Sequence, residues 1–470
     1  MDVSDPRVVV VGGGVAGLTV AYLLSRQGDH RRAHVTVVEA DHRVGGKLRS
    51  IEVGGLSLEA GADSFLARKP WAVELCRELG LSGELDAPGT SGTFLWTDEG
   101  LVRFPPDAAF GIPSDVGQVL RWPGLSRGGR LRAARDLVGR PRKDDADESL
   151  GSLLRRRVGD EATERAVAPL LAGLFAGDVD RLSVRATFPE LATWERMQGS
   201  LVRGSQAARR AAADVGPRPM FLRLRGGMSR LTDALASAIG REWLVLDAAA
   251  ASLDRRGHAW ALRTAGGTID ADAVVLAAPA FESARLLGTV APAPGAALSE
   301  IPYASTAVVF LVYPDGTGGA LPDGSGFVVP AGRAPMTACT WLSRKWPQEA
   351  YGSRAVLRCY VGGAGLEELV EEPDEDIVDA VARHVSAVLP LPRRPQASAL
   401  YRWRRAMPQY EVGHLDRVRA IRGMLPGGMF VTGSAFAGVG IPDCVRDANE
   451  TADAVLRHVT GRPAEKETVR

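Results

Sequence analysis

The sequence is poor in cysteine and has no long apolar run. Its four cysteines, Cys76, Cys339, Cys359 and Cys444, are widely separated, with no CxxC pair and no metal-ligand spacing to histidine. We therefore predict reduced cysteines with structural roles, and no metal site. No apolar stretch reaches the ~18 residues that span a bilayer, and the short polar stretch before the first predicted strand is unlike a signal peptide. These absences favour a cytoplasmic protein.

The chain also lacks an excess of either charge. Its formal net charge is +1, which gives no global reason to expect a nucleic acid partner. The apolar and charged fractions, 45% and 24%, are those of an ordinary globular protein. At 470 residues, the chain is too long for one simple core, so we expect more than one domain.

The strongest pattern is a glycine-rich turn at residues 12–17, directly after an apolar strand at residues 8–11. The spacing GxGxxG is typical of a strand, a tight turn and a helix whose N-terminus receives a pyrophosphate. Gly12 permits the turn, Gly14 lets the backbone approach phosphates, and Gly17 lets the helix pack closely. Glycine turns without ligands are common, but Glu39 ends the next apolar strand, where an acid can bind ribose hydroxyls.

Two further small-residue segments follow. Gly45 and Gly46 form a second glycine turn with Lys47, which predicts an elongated cofactor; a solvated hairpin is the alternative. Residues 60–62 are small enough to let a flat ring lie against the backbone, and a helix is predicted at residues 70–79. A turn is predicted at residues 171–178, and residues 429–434 and 442–459 predict a last strand and helix.

The order of these elements predicts an α/β fold with interleaved domains. A discontinuous Rossmann-like domain takes residues 1–90, 220–290 and 415–470. A helical subdomain takes residues 90–215, where we also expect a surface for a membrane or a partner, and a sheet-plus-helix substrate domain takes residues 290–415. Such interleaving places the ligand crevice between two domains.

Together these segments resemble the flavin-dependent porphyrinogen oxidases of the FAD-linked amine oxidase superfamily. The general part of the resemblance is the two glycine turns with Glu39. The specific part is residues 61–65, 169–178 with Leu182 and Ser183, 407–410 with Gly413 and His414, and 438–444. The resemblance implies FAD as cofactor and an FAD-binding role for the discontinuous domain.

Carried over by position, the resemblance implies a set of cofactor-binding residues. Trp403 has a core tryptophan as its alternative, and Ala250 stands where the family usually has a larger aliphatic residue. The set is Gly12, Gly13, Gly14, Val15, Ala16, Gly17, Glu39, Ala40, Gly46, Lys47, Gly61, Ala62, Asp63, Ser64, Ala250, Trp403, Ser434, Val439, Gly440 and Ile441.

For substrate, Arg68 and Lys69 are expected to face carboxylates, with a solvated helix start as the alternative, and Gly173 is expected in the pocket wall. The implied reaction is the oxygen-dependent oxidation of a porphyrinogen to a porphyrin in haem biosynthesis, with hydrogen peroxide released. No side chain is assigned as acid or base, because pyrrole nitrogens can lose protons to water. The implied partners are the tetrapyrrole, dioxygen, a downstream haem-pathway enzyme and, peripherally, a membrane.

The chain resembles the coproporphyrinogen III oxidases more than the membrane-bound relatives that act on protoporphyrinogen IX, because its composition, rich in Arg and Ala, is typical of a GC-rich genome and no membrane span is predicted. The many arginines between residues 121 and 165 fit either a basic pocket for four carboxylates or a membrane-facing surface. A flavin amine oxidase using Lys345 is one alternative. A carrier of the same fold without turnover is another, and bound yellow cofactor would discriminate against it.

Overall fold

The computed structural model describes residues 5–26, 33–105, 108–215 and 219–461. The remaining residues, 1–4, 27–32, 106–107, 216–218 and 462–470, lie outside the description. The predicted segments 1–90, 90–215 and 415–470 each include some of these residues, and most of the polar stretch before the first strand is among them.

A parallel sheet forms the centre of the first domain. Strand Arg7–Val11 pairs in parallel with His34–Val38 on one side and Ala273–Leu276 on the other. Val8, Val9 and Val10 are at most 1% exposed because they contribute alternately to cores on both faces. A strand buried on both faces is apolar at every position, which explains the uninterrupted run. The strand order is Leu244–Val245, His34–Val38, Arg7–Val11, Ala273–Leu276, Met429–Val431.

Helices and a small flap cover this sheet. Helices on the first face are Val15–Ser25, Pro70–Glu78, Ser229–Ile239 and Ile441–Thr460. The second face carries the antiparallel flap Ser252–Arg256, Ala259–Thr264 and Gly267–Ala271, with helices Ala280–Leu287, Pro292–Ser299 and His414–Met424. The sheet draws strands from three separated stretches of chain, so the predicted discontinuous α/β fold is confirmed.

A seven-stranded sheet dominates the second domain. Its order is Ala397–Pro408, Tyr303–Val312, Val356–Gly362, Met336–Trp341, Gly326–Val328, Phe94–Thr97 and Gly100–Arg103. Helix Asp374–Val388 packs against it. The last two strands form a hairpin within the segment 90–215, which the sequence predicts to be a helical subdomain. It extends this sheet instead, because Phe94 and Trp96 pack against the rings of Trp341 and Phe327.

The helical segment contains Val116–Leu120, Arg127–Ala134, Leu150–Val158, Asp160–Ala162, Ala168–Phe175, Val184–Thr187, Pro189–Gln198 and Leu201–Val215. The predicted turn at residues 171–178 is partly wrong, because the helix continues to Phe175. It ends where Ala176 adopts a left-handed conformation with φ of 47°. No helix in the described part of the chain is long and apolar enough to cross a membrane.

Short strands join the domains. Ser50–Val53 pairs with Leu56–Glu59, and Phe221–Leu224 pairs with both Phe65–Leu66 and Leu85–Asp86. The segment after Leu66 is thereby fixed beside the first domain, where helix Pro70–Glu78 packs against helix Ile441–Thr460.

Asp447 fixes the last helix to the sheet. Its carboxylate is fully buried and accepts hydrogen bonds from the Thr432 hydroxyl at 2.8 Å, from the Gly433 amide at 3.2 Å and from the guanidinium of Arg422. Thr432 and Gly433 directly follow strand Met429–Val431, so one carboxylate sets how the chain leaves the sheet.

We predict that Asp447→Ala destabilises the protein by about 1–3 kcal/mol, because it leaves the buried Thr432 hydroxyl and the Gly433 amide without an acceptor and the exposed Arg422 without its counter-charge. Asp453→Ala in the same helix is the control; Asp453 is exposed, so its loss should cost less than about 0.5 kcal/mol. Urea unfolding of both variants measures the difference. Equal midpoints would contradict this role for Asp447.

Candidate functional site

The first glycine turn, residues 12–17, joins strand Arg7–Val11 to helix Val15–Ser25 by close backbone packing. Gly12 has φ of +113° and donates its amide to the Val38 carbonyl at 2.8 Å. A Cβ on Gly17 would lie 2.0 Å from the Gly12 carbonyl oxygen, so the helix begins directly against the turn. By contrast, a Cβ on Gly14 would meet no atom within 4 Å. The turn is therefore closed against the protein at Gly17 and open at Gly14.

Gly14 is also the N-cap of helix Val15–Ser25, and no side chain caps that end. The first amides of a helix have no intrahelical partner, and their dipole favours an anion. Open space at an uncapped N-terminus is what a phosphate-bearing cofactor requires. Val15 is half-buried in the first turn of the helix and Ala16 is buried behind it.

Glu39 is bound to the first glycine turn. One of its carboxylate oxygens accepts from the Gly13 amide at 2.6 Å, and the other accepts from the Asp41 amide at 2.9 Å. The carboxylate thus fixes the turn, and each oxygen keeps a lone pair for another donor. Ala40 is exposed beside it, and the Ala248 amide donates to the Glu39 carbonyl at 2.9 Å. This hydrogen bond holds the chain before Ala250 next to the end of strand His34–Val38. Ala250 itself is buried in the core.

The second glycine turn, residues 45–47, packs on the first. The Gly45 amide donates to the Gly13 carbonyl at 2.8 Å, and a Cβ on Gly46 would lie 3.3 Å from the Gly14 Cα. A third segment, residues 60–64, packs in turn on the second, since a Cβ on Gly61 would lie 1.7 Å from the Lys47 carbonyl oxygen. Three segments from the first 64 residues are therefore stacked backbone against backbone.

Lys47 extends from this stack to Ser434 in the C-terminal turn, residues 433–440, and the space between the three stacked segments and this turn is called the cleft. Its ammonium donates to the Ser434 hydroxyl at 3.1 Å and is accessible. The protein atoms around it nevertheless desolvate the charge and lower the pKa of Lys47 to about 8. A partly desolvated cation with free donors is suited to bind an anion.

Asp63 carries the charge of the third segment. It accepts from the Lys345 ammonium at 3.0 Å, from the Trp346 indole at 3.0 Å and from the Ser64 hydroxyl at 2.8 Å. Desolvation acts to raise its pKa, but Lys345, Arg358 and the Trp346 hydrogen bond outweigh it and hold the pKa of Asp63 well below its usual value. Asp63 is therefore ionised, and it anchors the segment to the second domain. Ala62, just before it, is exposed.

Arg358 and Trp403 fix the same segment from the seven-stranded sheet. The buried guanidinium of Arg358 donates to the Gly61 carbonyl at 2.5 Å, and the Trp403 indole donates to the Ala60 carbonyl at 2.8 Å. Trp403 also packs on the core beneath. Its ring thus packs on a core while its N–H binds the third segment, and its contact with the cofactor stays a prediction.

Tyr410 braces the C-terminal turn, residues 433–440. Its buried hydroxyl donates to the Ser434 carbonyl at 2.6 Å and accepts from the Gly438 amide at 2.9 Å. Its ring stacks on His414 at 4.0 Å between centroids. The hydroxyl thus joins two points of the turn that places Ser434 opposite Lys47.

The end of this turn meets Lys69. Val439 and Gly440 are half-buried, Ile441 is buried at the start of the last helix, and Asp443 in its first turn binds Lys69. Arg68 is exposed and pairs with Glu190 at 2.8 Å. Gly173 is exposed, with no atom within 4 Å of where a Cβ would lie. The substrate-binding roles of Arg68, Lys69 and Gly173 stay predictions.

The sequence matches the family described as flavin containing amine oxidoreductase over residues 15–456. A coproporphyrinogen III oxidase of Bacillus subtilis is 33% identical, covering 98% of this chain and 100% of that protein. A chloroplastic protoporphyrinogen oxidase of rice is 28% identical over 96% of this chain and 88% of that protein. A crystal structure from Exiguobacterium sp. 255-15, provisionally assigned as a protoporphyrinogen oxidase, has a TM-score of 0.85 and 30% identity over 96% of this chain and 99% of that one.

The chain belongs to the flavin containing amine oxidoreductase family. Its cofactor is FAD, and the geometry of the glycine turns in this structure fits an adenine dinucleotide. The uncapped N-terminus of helix Val15–Ser25 faces open space at Gly14. The Lys47 ammonium lies across the cleft, and Glu39 lies at the end of the adjoining strand.

Sequence reasoning missed several residues that build the site. Tyr410 and Asp443 lay in recognised motifs but were given no role. Arg358 is an arginine within an apolar strand, and such a buried charge is a signal that it binds something specific. The partnership of Asp63 with Lys345 joins residues 282 positions apart, which no local pattern reveals.

We predict that Gly14→Ala and Gly17→Ala separate cofactor binding from folding. Alanine at position 14 meets no protein atom, so the apoprotein should keep its thermal midpoint while its affinity for FAD falls at least tenfold. Alanine at position 17 would collide with the turn and should lower both the thermal midpoint and the affinity for FAD. Thermal melts and FAD titration of the apoproteins check this. Undiminished FAD binding by Gly14→Ala would contradict the placement of the cofactor.

Proposed function

We propose that the protein is a coproporphyrinogen III oxidase that removes six electrons from coproporphyrinogen III to give coproporphyrin III in haem biosynthesis. Dioxygen is the acceptor, and three turnovers release three molecules of hydrogen peroxide. The observation that carries the proposal is the full-length similarity to the Bacillus subtilis enzyme of that name. The stacked glycine segments facing an open cleft support it.

The cofactor is proposed to lie along these segments. Residues 12–17 hold its pyrophosphate at the helix N-terminus, Glu39 binds the adenosine ribose, and Ala250 flanks the adenine side. Ala40, Gly46 and Lys47 approach the phosphates or the ribityl chain. Residues 61–64, Trp403, Ser434 and residues 439–441 enclose the flavin. When bound, FAD supplies the hydride-accepting chemistry.

The protein's own part in the reaction is to bind and orient the cofactor and the substrate and to exclude competing reactions. Trp403, Arg358 and the Asp63–Lys345 pair fix the third segment from the second domain, and Tyr410 fixes the C-terminal turn. Both walls of the cleft are thereby held by hydrogen bonds that do not involve ligand. No side chain is proposed to act as acid or base, since the pyrrole nitrogens can release protons to water.

The substrate's carboxylates are proposed to bind near Arg68 and Lys69. The Lys69 ammonium has three N–H donors, of which Asp443 takes two, so one remains for a propionate. Gly173 offers open space at the exposed face of helix Ala168–Phe175, where a tetrapyrrole ring can approach. We place the enzyme in the cytoplasm, since its four cysteines are buried and unpaired.

Oxidation of coproporphyrinogen III and protoporphyrinogen IX, measured side by side, tests the proposal. Chemically reduced substrates are supplied to the purified yellow protein, and porphyrin fluorescence is followed over the non-enzymatic rate. We expect kcat/KM to be higher for coproporphyrinogen III, because two additional propionates can pair with cations at the cleft. Cofactor-depleted Gly14→Ala protein is the matched control and should be slow with both.

Each other outcome identifies another function. Faster oxidation of protoporphyrinogen IX would support a protoporphyrinogen oxidase, which the similarity to the rice protein favours. Peroxide from amines without porphyrin would support an amine oxidase. A colourless protein that cannot take up FAD would support a carrier.

The charge of Lys47 predicts a pH dependence of FAD binding. Because desolvation lowers its pKa to about 8 in the apoprotein, Lys47 is charged below pH 8 and neutral above it. If the ammonium binds phosphate, binding above pH 8 must take up a proton, so the Kd should rise up to tenfold per pH unit. FAD titrations between pH 7 and 9.5 measure this.

Two variants control the experiment. Lys47→Arg keeps its charge and should show tight binding without the rise, whereas Lys47→Gln should bind weakly at every pH. A flat wild-type profile would contradict a phosphate contact by Lys47.

A further inference from the structure

Lys69 and Asp443 form a close ion pair between two separate helices. The Lys69 ammonium donates to both carboxylate oxygens of Asp443, each at 2.7 Å. Lys69 precedes helix Pro70–Glu78, whereas Asp443 lies in the first turn of helix Ile441–Thr460. The side chain of Asp443 is 12% exposed and that of Lys69 is 31% exposed. A carboxylate so little exposed is costly unless a cation accompanies it.

Asp443 packs against the turn that ends the cleft. A Cβ on Gly438 would lie 2.5 Å from the Asp443 Cβ, and a Cβ on Gly440 would lie 3.2 Å from a carboxylate oxygen. The other nearby cation, Arg446, is 4.0 Å away and donates to the Ala437 carbonyl. Lys69 is therefore the principal counter-charge of Asp443 among the described residues.

We infer that Lys69 is a positioning residue that neutralises Asp443, so that the start of the last helix presents net positive potential to the reduced cofactor. The inference rests on the proposed function, which puts residues 439–441 beside the flavin. It assigns Lys69 a role toward FAD, in addition to the proposed contact with substrate.

The signs of the charges give the physical reason. A helix N-terminus carries roughly half a positive charge, which favours an anion in front of it. A carboxylate in the first turn carries a full negative charge and, without Lys69, would reverse that preference. Reduction adds negative charge to a flavin, so an uncompensated Asp443 should disfavour the reduced form.

A charge cycle measured by the midpoint potential of bound FAD tests this inference. In Lys69→Met the potential should fall by ~30 mV, which is a tenfold loss of relative affinity for the reduced form in a two-electron couple. In Asp443→Asn the potential should rise, since Lys69 is then unbalanced. The double variant should return close to the wild-type value, and Lys69→Arg should remain there.

Arg26→Met is the matched control, because Arg26 pairs with Glu78 at the far end of helix Pro70–Glu78. Arg26 follows helix Val15–Ser25, so this variant removes a cation that pairs with the end of helix Pro70–Glu78 opposite Lys69, and it should leave the potential unchanged. Dye-equilibrium titration gives the potential without turnover.

Other results would contradict the inference or the proposed function. An unchanged potential in Lys69→Met and Asp443→Asn, even with a raised KM, would overturn the inference and leave Lys69 as a substrate contact alone. If Lys69→Met fails to fold, Asp443→Asn decides the matter, and it must raise the potential. A wild-type protein that binds FAD but oxidises no porphyrinogen would overturn the proposed function separately.

Discussion

The cleft depends on backbone packing that only glycine permits. The Gly12 carbonyl lies where a side chain of Gly17 would be, and the Lys47 carbonyl lies where a side chain of Gly61 would be. These contacts bring three segments from residues 12–64 into one stack. Glycine loses more conformational entropy on folding than other residues, so the stack must be fixed by interactions from outside it.

Charged and polar side chains from both domains supply that fixation. Glu39 binds the first turn, Asp63 with Lys345 binds the third segment, and Asp447 binds the chain leaving the last strand. Each carboxylate is at least partly removed from water and is compensated by donors within reach. Such pairs contribute little net stability, but breaking one leaves an unpaired buried charge. The cleft is therefore held in one arrangement before a ligand enters.

The sequence predicts the elements whose cause is local. The run before Gly12 is apolar at every position because that strand is buried on both faces, and this made the parallel sheet predictable. The glycine spacing likewise identified the first turn. Residues 94–103 were included in the helical subdomain but form a hairpin of the second sheet, since their place depends on rings more than 200 residues away. The partners of Asp63 and Lys69 are likewise distant in sequence, so no local pattern could predict them.

The helix through residues 171–175 shows another limit. Two glycines within eight residues suggested a turn, but the helix ends only at Ala176, where the backbone becomes left-handed. Exposed Gly173 is thus a helical position with open space over it.

The number of hydrogen peroxide molecules formed per coproporphyrin III tests the central claim most directly. With catalase absent and coproporphyrinogen III limiting, we predict three peroxide molecules for each porphyrin, because each two-electron step returns its electrons to dioxygen. Porphyrin formed without peroxide, or peroxide formed without porphyrin, would contradict the account.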